Sequence, residues 1–378
     1  MKVTIQAESL SAVLGAAGRA LPARPVTALF GSLLLQAQDG KLAVTGTDGD
    51  VRITVVCPAD VQEAGALCTP ASTLTELARC LPAGADTVLF EGKADNDYGK
   101  LRIAWGENGN ATLSASAAKD YPAETPVDAD TIETVDTAAL AHAIAYAAPS
   151  ASDDKALRPV LSALLLHFTE DGLDAVATDA HTCAIATIDG AHTPGTALVP
   201  ARSADILRKL IEKKDEDAPS ISLRYDLHRL EARTEGLSFS CALLTGKFPD
   251  YAKIIPSGGE KALVDRREAE NSLRIMNGLR TSRYVSVSVS PEGVEMECAD
   301  QMTGISARQK VHEEGLFAGN EPLRLCFNTQ LLAGLISRCG TDQVQLTVQG
   351  ERSPVLVEPA RQEDGLTLRA VIMPSAVK

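Results

Sequence analysis

The sequence predicts an α+β protein in which one unit of two helices and about eight antiparallel strands is repeated three times along 378 residues. Three observations predict it: a hairpin that recurs about every third of the chain, an amphipathic helix after each hairpin, and a further helix that opens each unit. Self-similarity at a fixed period is weighed first, because it decides the architecture.

The hairpin comes first. Arg24-Pro25-Val26 leads to Leu33-Leu34-Leu35, the turn Asp39-Gly40, and Leu42-Ala43-Val44-Thr45-Gly46-Thr47-Asp48. Arg158-Pro159-Val160 leads in the same way to Leu164-Leu165-Leu166, Asp171-Gly172, and a run ending Thr178-Asp179. Arg283-Tyr284-Val285 leads to Glu292-Gly293 and a run ending Ala299-Asp300. Each reads as strand, tight acidic-Gly turn, strand. The closing aspartates are 131 and 121 residues apart, near one third of the chain.

The following helices open at Thr69-Pro70-Ala71, Val199-Pro200-Ala201 and Phe327-Asn328-Thr329. Their apolar stripes are Leu74, Leu77 and Leu81; Ile206, Leu207 and Leu210; and Leu331, Leu332 and Leu335. The leading helices run over Ala7 to Leu21, after an N-cap at Asp136, and after an N-cap at Asp265. Pro126 and Pro256 close their units, so the predicted domains are 1–128, 129–256 and 257–378. Each would be a pair of sheets with both helices on one side.

Composition narrows the class. A 45% hydrophobic content supports real cores, and no stretch approaches the roughly 18 apolar residues of a membrane span. Cys57, Cys68, Cys80, Cys183, Cys241, Cys298, Cys326 and Cys339 form no CxxC pair, and most sit in apolar runs. That pattern fits reduced, buried thiols in a cytoplasmic protein, with no metal or other cofactor expected. A net charge of −14 argues against a protein that grips nucleic acid in a basic groove.

The chain resembles the bacterial DNA polymerase III β subunit, the sliding-clamp family, along its whole length. The resemblance is carried by Arg158-Pro159-Val160-Leu161, Thr178-Asp179-Ala180-His181, Gly246-Lys247-Phe248-Pro249-Asp250-Tyr251 and the tail Val371-Ile372-Met373-Pro374, in order on a threefold repeat. It implies a DNA clamp fold and a head-to-tail homodimer whose six like domains close a ring around duplex DNA, helices inside and sheets outside. A protein held by topology needs only a mildly positive lining, which reconciles the acidic balance with DNA. The implied partners are double-stranded DNA without sequence preference, the polymerase III catalytic subunit, the clamp loader, and other polymerases and repair proteins bearing clamp-binding motifs. No membrane and no chemistry of its own are implied.

The candidate lining comprises Arg24 and Arg79, then Lys155, Arg202, Lys209 and Lys213, then Arg274, Arg280, Arg283 and Arg338. Arg24, Lys155 and Arg202 match DNA-contacting positions of the family. The partner-peptide cleft, carried over position by position, comprises Leu161, Thr178, His181, Cys183, Pro249, Lys253, Ile254, Tyr284, Val371, Ile372, Met373 and Pro374. Aliphatic walls and a flexible methionine suit apolar anchors. For Leu161, Ile254 and Ile372 the competing reading is plain core packing. The chain departs from the family at Ala180, where glycine is usual, at Thr182 for arginine, at Cys183 for leucine, and in the ending Ser375-Ala376-Val377-Lys378.

Two alternatives stand beside this reading. A diverged paralogue with another partner set would explain the altered cleft. A hydrolytic enzyme is the remote one: six histidines form no HExxH pair or close cluster, and Walker, GxGxxG and G-x-S-x-G motifs are missing. Asp179-Ala180-His181 could form an acid–base dyad, yet Asp48-Gly49-Asp50 and Asp300-Gln301-Met302 lack the histidine, which points to a repeated structural turn.

Overall fold

The structure, a computed structural model, describes residues 1–81, 88–93, 99–129, 131–154, 156, 158–212, 219–279, 283–300, 302, 304–311 and 322–375. Lys155, Lys213 and Arg280 lie outside the described residues.

The element order repeats three times. The first repeat runs β1 (Lys2–Ile5), α1 (Ala7–Ala17), β2 (Ser32–Gln38), β3 (Lys41–Thr47), β4 (Val51–Pro58), β5 (Asp60–Glu63), β6 (Gly65–Pro70), α2 (Ala71–Cys80), β7 (Val88–Lys93), β8 (Gly99–Trp105) and β9 (Gly109–Ala117). The second runs β10 (Glu133–Asp136), α3 (Thr137–Ala147), β11 (Ala163–Phe168), β12 (Gly172–Thr178), β13 (Thr182–Asp189), β14 (Gly195–Pro200), α4 (Ala201–Ile211), β15 (Ser220–Tyr225), β16 (Arg229–Arg233) and β17 (Leu237–Ala242). The third runs β18 (Glu260–Asp265), α5 (Arg266–Leu279), β19 (Tyr284–Ser290), β20 (Gly293–Asp300), β21 (Ile305–Val311), β22 (Leu323–Asn328), α6 (Thr329–Arg338), β23 (Gln343–Val348), β24 (Val355–Pro359) and β25 (Leu366–Ile372).

Helix ends follow the local chemistry. Asp265 caps α5 by accepting from Glu268 N at 2.8 Å, and Asn328 caps α6 by accepting from Gln330 N and Leu331 N. α1 buries Leu10, Val13, Leu14 and Ala17, one stripe of a 3.6-residue period. It stops short of the predicted Leu21: at Gly18 the chain tightens into a 3₁₀ turn, Gly18–Ala20, consistent with glycine's poor helix propensity. The first repeat also carries one strand more than predicted, β5, which lengthens the edge beside β1.

The sheets run across the boundaries between repeats. β17 of the second repeat pairs with β4 of the first, with Phe239 opposite Ile53 and Cys241 opposite Val51. β25 of the third pairs with β13 of the second, with Val371 opposite Cys183 and Ile372 opposite Thr182. Two compact units follow: Met1–Ala138 with Lys209–Leu243, and Ala139–Arg208 with Leu244–Lys378. The first unit's core packs α1 and α2 on Leu33, Leu35, Leu42, Val44 and Leu101. In the second, Ala163, Leu165, Val176, Cys183, Ile185 and Val371 form a cluster covered by Val160, Leu244, Phe248, Tyr251 and Ile255. The sheet β21-β20-β19-β22 instead alternates cleanly, with Val285, Val287, Val289 and Met296 buried. Its other face holds Arg308 3.3 Å from Glu295, and Arg324 3.3 Å from Glu297.

Candidate partner cleft and nucleic-acid interface

The three repeated aspartates build one kind of turn. Asp48 Oδ1 accepts from Asp50 N at 3.1 Å and Val51 N at 2.7 Å. Asp179 Oδ1 accepts from His181 N at 2.9 Å, Thr182 N at 2.6 Å and Thr182 Oγ1 at 3.0 Å. Asp300 Oδ1 accepts from Met302 N at 2.9 Å. The preceding threonines reinforce the first two: Thr47 Oγ1 donates to Val51 O and Thr178 Oγ1 to Thr182 O. These are Asx turns closing a hairpin. All three bonds end on Oδ1 of Asp179, so the aspartate serves the turn in each of its three copies. Thr182, which stands where the family usually has arginine, is buried and completes this turn. Gly49 takes the left-handed conformation at φ 98°, and Ala180 takes it at φ 74°, which costs a residue with a Cβ about 1–2 kcal/mol.

The turn delivers its hairpin to the β13–β25 seam. Met373 N donates to His181 O at 2.9 Å, and Ser375 N donates to Cys326 O at 2.7 Å, so the tail passes from the turn to β22. Tyr284 opens β19 opposite Asn328 of that same strand β22. The expected cleft residues divide by exposure into a buried set, the floor of such a cleft, and an exposed set, its rim. Leu161, Thr178, Cys183, Val371 and Ile372 are buried; for Leu161 and Ile372 this is the core packing weighed above. Burial pushes the Cys183 thiol up to about 12, which makes it an inert apolar side chain. His181, Pro249, Lys253, Ile254, Tyr284 and Met373 are exposed, with Pro374 half-buried. Three apolar residues of the exposed set, Ile254, Tyr284 and Met373, stand 41–46% open to solvent. Lys253 Nζ pairs with Asp250 Oδ2 at 2.7 Å, and this bond holds the Asp250 carboxyl below its usual range.

The β4–β17 seam is built differently. Arg52, four residues after Asp48, occupies the place that Cys183 holds after Asp179. Its Nη1 donates to Pro122 O at 2.7 Å and its guanidinium lies 5.7 Å from the centre of the Tyr121 ring. Tyr121 donates to Thr45 O at 3.1 Å and is buried, which pushes its phenol up to about 12. Neither residue was singled out in the sequence. The signal was there: Tyr121-Pro122 repeats Phe248-Pro249.

Among the expected lining cations, Arg24, Arg79, Arg202, Lys209, Arg274 and Arg283 are exposed. Arg202 and Lys209 are two turns apart on one face of α4. In the first unit an open cleft between α1 and α2 brings together Arg79, Lys209 and Arg19, which sequence reasoning missed. Small residues, Ser11, Ala12, Gly15, Ala71, Ser72 and Thr75, line its walls together with the carboxylates Glu8 and Glu76. Arg338 is a correction. It donates to Tyr146 O, to Ser150 Oγ at 3.0 Å and to Gly334 O at 2.8 Å, and it lies over the Tyr146 ring. It fastens α6 to the end of α3 and is a structural residue.

Comparison with known proteins bears on the family and the fold. Two family models match: DNA polymerase III beta subunit, N-terminal domain, over residues 1–125, and DNA polymerase III beta subunit, central domain, over residues 134–250. Together they span well over half the chain. The beta sliding clamp of Pseudomonas aeruginosa is 26% identical over 387 residues, covering 99% of each chain. That of Caulobacter vibrioides is 27% identical over 372 residues, covering 94% of this chain and 95% of the relative. Among solved structures, a P. aeruginosa DnaN sliding clamp bound to griselimycin superposes with a TM-score of 0.89 at 24% identity, covering 100% of both chains. The DNA polymerase sliding clamp of Bacillus subtilis does so at 0.87 and 20%, again over 100% of both.

Proposed function

The chain belongs to the DNA polymerase III beta-subunit family, and on that premise we propose that it is a sliding clamp: two copies close head to tail around duplex DNA and tether DNA polymerase III to its template. The single observation that carries the reading is the twice-used strand seam. β4 meets β17, and β13 meets β25, each time joining the last strand of one repeat to the third hairpin strand of the repeat before it. The same rule leaves one complementary pair over. β21 pairs only with β20 among the described residues, and its counterpart is β9, the last strand of the first repeat, which pairs with β8 along its length and with β6 only at Ser116 and Ala117. Joining β21 of one copy to β9 of another is a heterologous contact that closes when two copies complete it twice. Beside β21, α5 exposes Ile275 and Leu279, and β21 exposes Ile305, an apolar patch suited to such a contact.

The three repeats then act as the domains 1–128, 129–256 and 257–378, six to the ring. Two chains at −14 give −28, so the ring is acidic outside and carries its cations on the helices. Arg24, Arg79, Arg202, Lys209, Arg274 and Arg283 touch phosphates in passing, which positions but does not read sequence. The cleft at the β13–β25 seam receives the apolar anchors of the polymerase III catalytic subunit, the clamp loader and other polymerases or repair proteins. The protein works in the cytoplasm and turns over no substrate.

The test is retention. Purified protein loaded on nicked circular duplex should co-elute with it in a sizing column, and linearising the DNA should release it. Equal retention on circular and linear DNA would sink the topological reading.

A further inference from the structure

Tyr251 opens the helical turn Tyr251–Ile254, which carries Lys253 and Ile254 and follows Pro249 by two residues. Its ring packs on the apolar cluster under the cleft. Its hydroxyl donates to Asp174 Oδ2 at 2.7 Å and lies 2.6 Å from His167 Nδ1. Asp174 Oδ1 accepts from Thr187 Oγ1 at 2.5 Å, and Arg369 Nη2 donates to Thr187 Oγ1 at 3.4 Å. His167, Asp174 and Thr187 stand directly opposite one another on β11, β12 and β13.

Counting protons orients the whole chain. A carboxylate only accepts, so Thr187 and Tyr251 each give it their single hydroxyl proton. The Tyr251 oxygen must then accept from His167, whose Nδ1 carries the hydrogen, as Thr187 accepts from Arg369. Burial and the Asp174 carboxylate both push the Tyr251 phenol above its ordinary value, so its proton stays in place. His167, Asp174, Thr187 and Arg369 lie outside the motifs that carry the family resemblance, and the network's two ends, His167 on β11 and Arg369 on β25, lie on opposite sides of the strand that carries Asp174.

We infer that Asp174 and His167 are positioning residues for the partner cleft: they clamp Tyr251 and so hold Pro249 and Ile254 as its outer wall. The inference rests on the cleft reading above. A wall fixed in advance spares the partner the cost of ordering it on binding.

The experiment titrates full-length dimeric protein into a fluorescein-labelled peptide that carries a leucine and a phenylalanine as apolar anchors. Tyr251→Phe and His167→Phe should each weaken binding roughly tenfold, since each removes a hydrogen bond that fixes the wall. His167→Gln keeps an N–H donor and should bind within about twofold of native. All three should keep the native mass in solution and the native retention on circular DNA. Native-like affinity in both phenylalanine variants overturns the inference, and so does a glutamine variant as weak as the phenylalanine one. If Tyr251→Phe fails to fold, the two His167 variants decide alone. A native protein that does not bind the peptide brings down the cleft reading and this inference together, an outcome distinct from a native that binds and variants that match it.

Discussion

The two strand seams share a topology and differ in what fills them. At β4–β17 the outer face is closed by a cation: Arg52 donates to Pro122 O and lies over Tyr121. At β13–β25 the equivalent position is Cys183, which packs with Leu165, Ile185 and Val371 in an apolar cluster covered by Val160, Phe248 and Tyr251. The Arg52 guanidinium, bonded to a backbone carbonyl through Nη1 and without a partner at its buried Nε, puts charge on that face, whereas a small thiol keeps it apolar. One residue type at one repeated position thus separates a seam closed by charge from one that is apolar, which the proposed function reads as a docking site.

The largest expected effect breaks the second seam outright. Removing the chain from Val371 onward takes away two fully buried aliphatic side chains, worth about 3–6 kcal/mol in transfer alone, and should unfold the second unit. Removing it from Met373 onward leaves β25 whole. That shorter truncation should keep the native melting temperature while weakening peptide binding, and calorimetry beside a peptide titration checks both. Equal melting losses for the two cuts would contradict the division into floor and rim.

Exchanging the marker residues comes next. Cys183→Arg places a charge among apolar side chains, at a cost of several kcal/mol, and should abolish peptide binding. Arg52→Cys loses a charge-assisted hydrogen bond and strands the Pro122 carbonyl, a cost of about 1.5–3 kcal/mol without any effect on the peptide. Urea unfolding at constant slope measures both.

The turns should rank below that. Asp179→Ala leaves three donors unmet and Asp48→Ala two, so losses of about 1–3 kcal/mol are expected, the larger at Asp179. The smallest effects have opposite signs. Gly49→Ala should destabilise by about 1 kcal/mol, and Ala180→Gly should relieve a strain of similar size, less the entropy that glycine adds to the unfolded chain. Thermal melts of the pair resolve the sign.

What the sequence made legible was local. The hairpins, the helix caps at Asp265 and Asn328 and the repeated aspartate are set by neighbours a few residues away, so periodicity and turn chemistry reveal them. The aspartate's role was readable because two of its three copies lack a histidine. What depended on distant pairing was harder. Arg338 reads as one more exposed helix cation until α6 is seen against Tyr146 and Ser150, nearly 190 residues away. Val371, Ile372 and Cys183 read as cleft contacts because the resemblance assigns them there. Only the β13–β25 register shows that Val371 and Cys183 lie opposite each other on one face, while Ile372 lies opposite Thr182 on the other. Arg52 and Tyr121 went unnoticed because their meaning lies in the contrast with Cys183 and Phe248.

The same topology leads to the assembly, where two seams inside the chain imply a third between chains. Sedimentation equilibrium of the native protein beside Ile275→Asp/Leu279→Asp is the most direct test. The native chain should sediment at micromolar concentration as twice 39.8 kDa, and the charged variant, with its exposed patch on α5 spoiled, as a folded species of 39.8 kDa. A native protein that stays monomeric, or a dimer indifferent to both aspartates, would contradict the head-to-tail closure of β21 on β9.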